Sequence, residues 1–184
     1  MKFSIIETKL GWIGLGLNGR GLRLLTLPAA TAAAAEGELR SHGATEPSAS
    51  AGDWPEKLRR YLNGESAALS GALDLEQGTA FQRQVWRALL AIPRGETRTY
   101  RQVAEGIGRP RAARAVGQAV AANPLPIVVP CHRVVGGHGL GGHGLGGYGG
   151  GLALKKKLLK LEGAVLGGRE GPIRGRGHAA RRGV

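Results

Sequence analysis

TAFQRQVWRALLAIPRGETRTYRQVAEGIGRPRAARAVGQAVAANP, residues 79–124, decides the architecture of this 184-residue chain. Thr79, followed three residues on by Gln82, is a capping box, in which hydroxyl and amide side chains satisfy the orphan N–H groups of a helix start. Behind it Phe81, Val85, Leu89 and Ile92 recur at helical spacing until Pro93 ends the run. Thr99 and Gln102 form a second box, which opens a helix with an inner stripe of Tyr100, Val103, Ala104 and Ile107 and a stop at Gly108. Pro110 starts a third helix that ends before Asn123-Pro124; Ala113, Val116 and Val120 lie on one side of it, Arg114 and Gln118 on another. Two short helices joined by a tight turn are the helix-turn-helix pattern.

Upstream, residues 2–8 and 12–27 read as strands. Phe3, Ile5, Trp12, Ile13, Leu15, Leu17, Leu22, Leu24 and Leu27 give a rough period of two around the hairpin signal Asn18-Gly19. Residues 29–53 are rich in Ala, Ser, Thr and Gly and form a loose connection with room for a short helix over 30–40. A helix follows from Pro55 to Leu62, stopped by Asn63-Gly64. This half is a small α/β unit without a catalytic cluster. Downstream, Pro126-Ile127-Val128-Val129 reads as a short strand feeding Cys131. Gly-Gly-His-Gly-Leu at 136–140 is then repeated at 141–145 as a flexible loop, in which His138 and His143 make a poor metal pair. A last helix spans Leu152–Leu161, with Gly163 as its stop.

The net charge of +13 is unevenly placed. Residues 1–78 carry 8 basic and 9 acidic groups, residues 79–163 carry 13 and 3, and residues 164–184 carry 5 and 1. The second half therefore suits a polyanion such as nucleic acid, or simply presents a solvated basic face. The small outer residues of the third helix, Ala115, Gly117, Ala119, Ala121 and Ala122, serve either close approach to DNA or tight helix packing. No run of about 18 apolar residues is present and no signal-peptide core opens the chain, so a soluble, intracellular protein without membrane contact is expected.

Cys131 is the single cysteine, which excludes an internal disulfide and a Cys-cluster zinc site. A lone cysteine is usually an inert buried residue, yet Pro130 stiffens the chain before it and His132 offers an imidazole after it. Neighbouring side chains on an extended segment point apart, so a bridging water is expected between them. Glu162, at a helix C-terminus, faces the negative end of the macrodipole. It is either a tolerated surface acid or a partner that supports His132 in a Cys–water–His–Glu relay.

Asn123-Pro124-x-Pro126-Ile127-x-x-Pro130-Cys131-His132-Arg133-Val134, with Ala112-Ala113-Arg114-Ala115-Val116-Gly117 before it and Tyr148-x-Gly150-Gly151-Leu152 through Glu162-Gly163 after it, closely resembles the O6-alkylguanine-DNA alkyltransferases. The resemblance is specific from about Thr79 to Gly163. It implies an α/β N-terminal domain (1–78, a small antiparallel sheet plus helix), followed by a mainly helical winged-helix/helix-turn-helix domain (79–163) that binds DNA and carries the catalytic residues. Residues 164–184 form a basic disordered tail. The resemblance also implies a monomer that repairs double-stranded DNA in the cytoplasm without cofactor. The helix-turn-helix enters the minor groove, the damaged base is flipped out, and the alkyl group of O6-alkylguanine, or of O4-alkylthymine, passes irreversibly to the protein.

By matching position Cys131 is the acceptor, His132 its water-linked base, Glu162 the support of His132, Asn123 the brace of the Cys131 loop, and Tyr100 the donor to guanine N3. Arg114 fills the gap left by the flipped base, and Thr99, Arg111, Ala115 and Gln118 contact DNA. The Val134 backbone, Tyr148 and Gly149 line the base pocket. Two departures bear on substrate range: Gly149 stands where some relatives have Ser, and the repeat lengthens the loop before Tyr148. Some relatives bind zinc in the N-terminal half; here that half has no Cys and only His42, so no metal is expected. Competing readings are a lesion-binding protein that performs no transfer, whose relatives lack the cysteine, and a Cys-His hydrolase of small molecules, which has no need of the basic half.

Overall fold

The computed structural model describes residues 1–137 and 144–164. His138, His143 and the basic tail from residue 165 onward lie outside the described residues. Strands β1 (Lys2–Thr8), β2 (Gly11–Asn18) and β3 (Gly21–Leu25) form the expected antiparallel meander. Glu46–Pro47 (β4) adds a two-residue parallel edge beside β1, so the sheet is mixed and its order is β3-β2-β1-β4. Asn18 pairs with Gly21 around a two-residue turn, and Gly21 takes φ +130°. A Cβ there would sit 2.2 Å from the Ala72 carbonyl, which accepts the Leu22 N–H, so only glycine fits this approach. Helices α1 (Ala32–Ser41) and α2 (Trp54–Leu62) complete the N-terminal half.

Both capping boxes form as read. They open α3 (Ala80–Leu90) and α4 (Tyr100–Gly106) with reciprocal hydrogen bonds between Thr and Gln. Helix α5 (Ala113–Ala121) starts three residues later than Pro110 suggested, because a turn closes first, with the Ala112 N–H donating to Arg109. Ala119 also differs from its reading as an outer residue: it is buried, and its carbonyl accepts the Trp86 indole N–H at 2.8 Å. One apolar cluster runs from Ile13 and Leu15 of the sheet through Trp54 and Leu58 to Val85, Leu89, Val116 and Cys131. The halves are further tied by the Leu25 N–H, which donates to the Pro124 carbonyl at 2.9 Å.

Residues 126–129 do not form a strand. Pro126 and Pro130 remove two amides, Ile127 adopts φ +75°, and the segment folds into a buried turn closed by the Val129 N–H on the Leu125 carbonyl. Cys131–Arg133 is a single 3-10 turn, after which β6 (Val134–Val135) pairs in parallel with β5 (Arg98–Thr99). Helix α6 spans Gly151–Leu161, and Ala164, one residue past the expected boundary, is buried with its N–H donating to Leu159.

Candidate active site

A β-branched residue at positive φ is costly, so the Ile127 turn requires outside support. Asn123 supplies part of it. Its Nδ2 donates to the Val129 carbonyl at 2.8 Å and its Oδ1 accepts the Leu125 N–H at 3.0 Å, spanning the turn that delivers Cys131. Cys131 is buried, and its N–H donates to Val129 at 2.7 Å. Burial pushes its thiol up, and a hydrogen bond from Asn123 together with the field of Lys155 works against that rise. The resting sulfur is thus a protonated thiol, and reaction as a nucleophile requires a base.

The next residue in sequence carries an imidazole. His132 is fully buried, with Nε2 3.1 Å from Oε1 of Glu162. Glu162 receives more than the imidazole. Arg133 donates from Nη2 to Oε1 at 2.6 Å and from Nε to Oε2 at 2.9 Å, and the Tyr61 hydroxyl donates to Oε1 from the N-terminal half. Burial alone would raise the Glu162 carboxyl, but the hydrogen bonds from His132, Arg133 and Tyr61 hold it well below the usual carboxylate range. Burial in turn pushes the His132 pKa down, against the pull of Glu162. With Nε2 turned to a carboxylate, Nδ1 is the lone-pair nitrogen. It is buried without a protein partner among the described residues. The reading of Glu162 as a surface acid is therefore incorrect: it anchors a buried cluster.

Cys131 lies on the wall of a cavity of about 760 Å³. Tyr100, Asn123, Tyr148 and Gly149 share that wall with Leu25 and Leu27 of the N-terminal half. The Tyr148 hydroxyl is buried without a hydrogen-bond partner among the described residues, and both it and Tyr100 are raised by burial first and by the Cys131 sulfur second. Val134 does not line the cavity; its side chain is buried and its carbonyl accepts from Lys155. Arg111, Arg114, Ala115 and Gln118 are exposed on α5 and the turn before it, while Val116, Ala119 and Val120 face the core. Thr99 departs from that group, being buried with its hydroxyl committed to the α4 cap.

The family profile described as 6-O-methylguanine DNA methyltransferase, DNA binding domain, matches residues 80–164. A methylated-DNA–protein-cysteine methyltransferase of Methanosarcina barkeri is 41% identical over 172 residues, covering 88% of this chain and 97% of that one. The chain belongs to the methylated-DNA–protein-cysteine methyltransferase family. A Mycobacterium bovis member is 46% identical over 123 residues, covering 67% of this chain and 71% of its own length. Among solved methyltransferase structures, Mycobacterium tuberculosis OGT in complex with DNA superposes with a TM-score of 0.76 at 39% identity, covering 89% of this chain and 93% of that one. The O6-methylguanine-DNA methyltransferase of Pyrococcus kodakaraensis gives 0.67 at 30% identity, covering 89% and 99%. No helix among the described residues of this methyltransferase is long and apolar enough to cross a membrane.

Three contributors to the site escape a reading of the sequence. Tyr61 stands 71 residues from His132 and 101 from Glu162, with no local pattern that points to either. Arg133 sits inside the Pro-Cys-His-Arg motif, yet its partner is revealed only by the packing of α6. Lys155 carries a faint signal: it shares a helical face with Leu158, Leu159 and Glu162, so a lysine falls on the buried stripe.

Proposed function

We propose that this protein repairs double-stranded DNA by moving the alkyl group of O6-alkylguanine, and of O4-alkylthymine, to the sulfur of Cys131, once per molecule. The observation that carries this reading is the position of Cys131: it sits on the wall of a cavity with ample room for a base while the next residue, His132, holds a buried lone pair. The Cys131 thiol gives its proton, through a bridging water, to Nδ1 of His132. The sulfur pair attacks the alkyl carbon, and the carbon–O6 bond breaks with its electrons passing into the purine. A hydrogen bond or proton from Tyr100 at N3 offsets the developing negative charge. The products are guanine and a thioether, which has no ready reverse step, so no cofactor is required.

O6 is inaccessible to a buried thiol while the base is stacked, so the lesion must be extruded, at a cost of a few kcal/mol. The exposed α5 face supports this step: Arg111 and Gln118 meet the backbone, Ala115 allows close approach in the minor groove, and Arg114 fills the vacated stack. In this reading residues 79–164 form the catalytic module, residues 1–78 close the cavity and supply Tyr61, and residues 165–184 add a basic tail. The protein acts as a monomer in the cytoplasm, on the nucleoid in a prokaryotic host. The test is a titration: with protein in deficit over O6-methylguanine duplex, lesions converted to guanine equal protein molecules added. Continued conversion beyond that ratio excludes the reading.

Arg114→Ala slows repair of duplex DNA by about tenfold or more while the reaction with free O6-benzylguanine keeps its rate, because only the duplex requires flipping. Equal losses on both substrates would place Arg114 in the support of the fold. A pH profile tests the base. Since burial lowers the His132 pKa from its ordinary 6.5, the neutral imidazole persists into more acidic solution. The free-base reaction therefore holds its rate as pH falls through 6.5; a rate already halved at that pH contradicts His132 as the buried base.

A further inference from the structure

Lys155 is fully buried. Its ammonium group donates to three backbone carbonyls, Val134 at 2.6 Å, Leu145 at 2.5 Å and Gly147 at 3.3 Å. An ammonium has three protons, so each finds an acceptor. No carboxylate lies within ion-pair distance of it among the described residues. Burial lowers its pKa to about 8 against the opposing field of Cys131. An apolar side chain would fill this position on α6 without desolvating a charge, so the lysine needs a reason beyond packing.

The carbonyls supply that reason. Residues 144–150 lie outside any helix or strand, so their carbonyls have no ladder partner. The Gly136 N–H holds the Gly144 carbonyl at one end of the segment, and Lys155 holds the next turn through Leu145 and Gly147. Between those two carbonyls Gly146, at φ +66°, presses on Tyr100: a Cβ on Gly146 would stand 2.9 Å from the Tyr100 ring and hydroxyl. Tyr148 follows directly. Lys155 thereby joins the strand after Cys131, through Val134, to the segment that touches Tyr100 and carries Tyr148.

We infer that Lys155 is a positioning residue, which pins residues 144–148 against Tyr100 and so fixes the wall of the cavity that receives the base. This rests on the alkyl-transfer reading above. The side chain touches neither the reacting carbon nor the base; it acts through the backbone carbonyls it holds. Without it the segment relaxes, the two tyrosines lose their common spacing, and binding of the base suffers before the chemistry of the thiol does.

The test uses the full chain and two reagents. Free O6-benzylguanine needs the base cavity, whereas iodoacetamide needs only an accessible thiol, and Cys131 is the single cysteine, so protein mass reports both reactions. In Lys155→Met the half-saturating concentration of O6-benzylguanine rises about tenfold or more, while the iodoacetamide rate, which senses only the lost field of Lys155 at the thiol, falls by a clearly smaller factor. Lys155→Gln recovers part of the loss, since its amide can donate to two of the three carbonyls. Half-saturation as in the wild type, or equal losses with both reagents, in either variant at a wild-type melting temperature overturns the inference. If Lys155→Met does not fold, the same comparison in Lys155→Gln decides. A wild-type protein that gains no benzyl group refutes the alkyl-transfer reading itself, which separates the two failures.

Discussion

Cys131→Ala abolishes alkyl transfer and leaves affinity for duplex DNA within about twofold of the wild type. On the proposed route the sulfur forms the new bond, and no other cysteine exists in the chain to replace it. Affinity survives because Cys131 lies inside the cavity, while Arg111, which would meet the backbone, and Arg114, which would fill the vacated stack, are exposed beside and on α5. Alanine in place of a small buried thiol also disturbs packing little. The check is a filter-binding or anisotropy titration beside an assay of lesion loss. Residual transfer by the variant would remove Cys131 from the chemistry, and a large loss of affinity would mean that the site and the DNA surface are not separable.

Glu162→Gln has the second large effect, on stability as well as reaction. The carboxylate is fully buried and accepts from three side chains, and the side chain of Arg133, which it neutralises, is only 12% exposed. Removing one partner of such a pair costs about 3–5 kcal/mol, because the remaining charge stays desolvated. For a chain of this size that lowers the melting temperature by roughly 10 °C or more. Tyr61→Phe removes a single donor to the same oxygen and costs less, about 1.5–3 kcal/mol. The pH sign follows from the depressed carboxyl. The stabilisation is fully present above the unfolded value near 4.5 and is lost as pH falls through the lower folded value. Wild-type melting temperature thus declines below pH 4.5 with a component that Glu162→Gln lacks. A variant that melts within about 2 °C of the wild type contradicts the buried cluster.

What the sequence discloses and what it withholds divide along range of interaction. The two capping boxes, the Asn18-Gly19 hairpin and the Gly163 stop depend on residues within a turn of one another, and the structure has each of them in place. The segment 126–129 misleads because a short apolar run looks alike in a strand and in a buried turn. The two prolines and the support from Asn123 settle it as a turn. The start of α5 is displaced for a similar reason, since Pro110 is as well suited to the preceding turn as to a first helical position. Cys131 and His132 are adjacent in sequence and easily paired. Glu162 joins them only through the packing of α6, and Tyr61 only through the contact between the halves. Thr99 shows the converse: the sequence already places its hydroxyl in a capping box, and the DNA contact that the resemblance assigned to it gives way to that cap.

The central claim is that Cys131 is the terminal acceptor of the alkyl group, and one measurement tests it most directly. The protein is incubated with excess duplex DNA carrying O6-methylguanine, its intact mass is recorded, and a digest locates any modification. The account predicts a gain of one methyl group per molecule, on the peptide that contains Cys131, with no second addition at longer times. An unchanged mass while the lesion disappears, or a methyl group on any other residue, contradicts it.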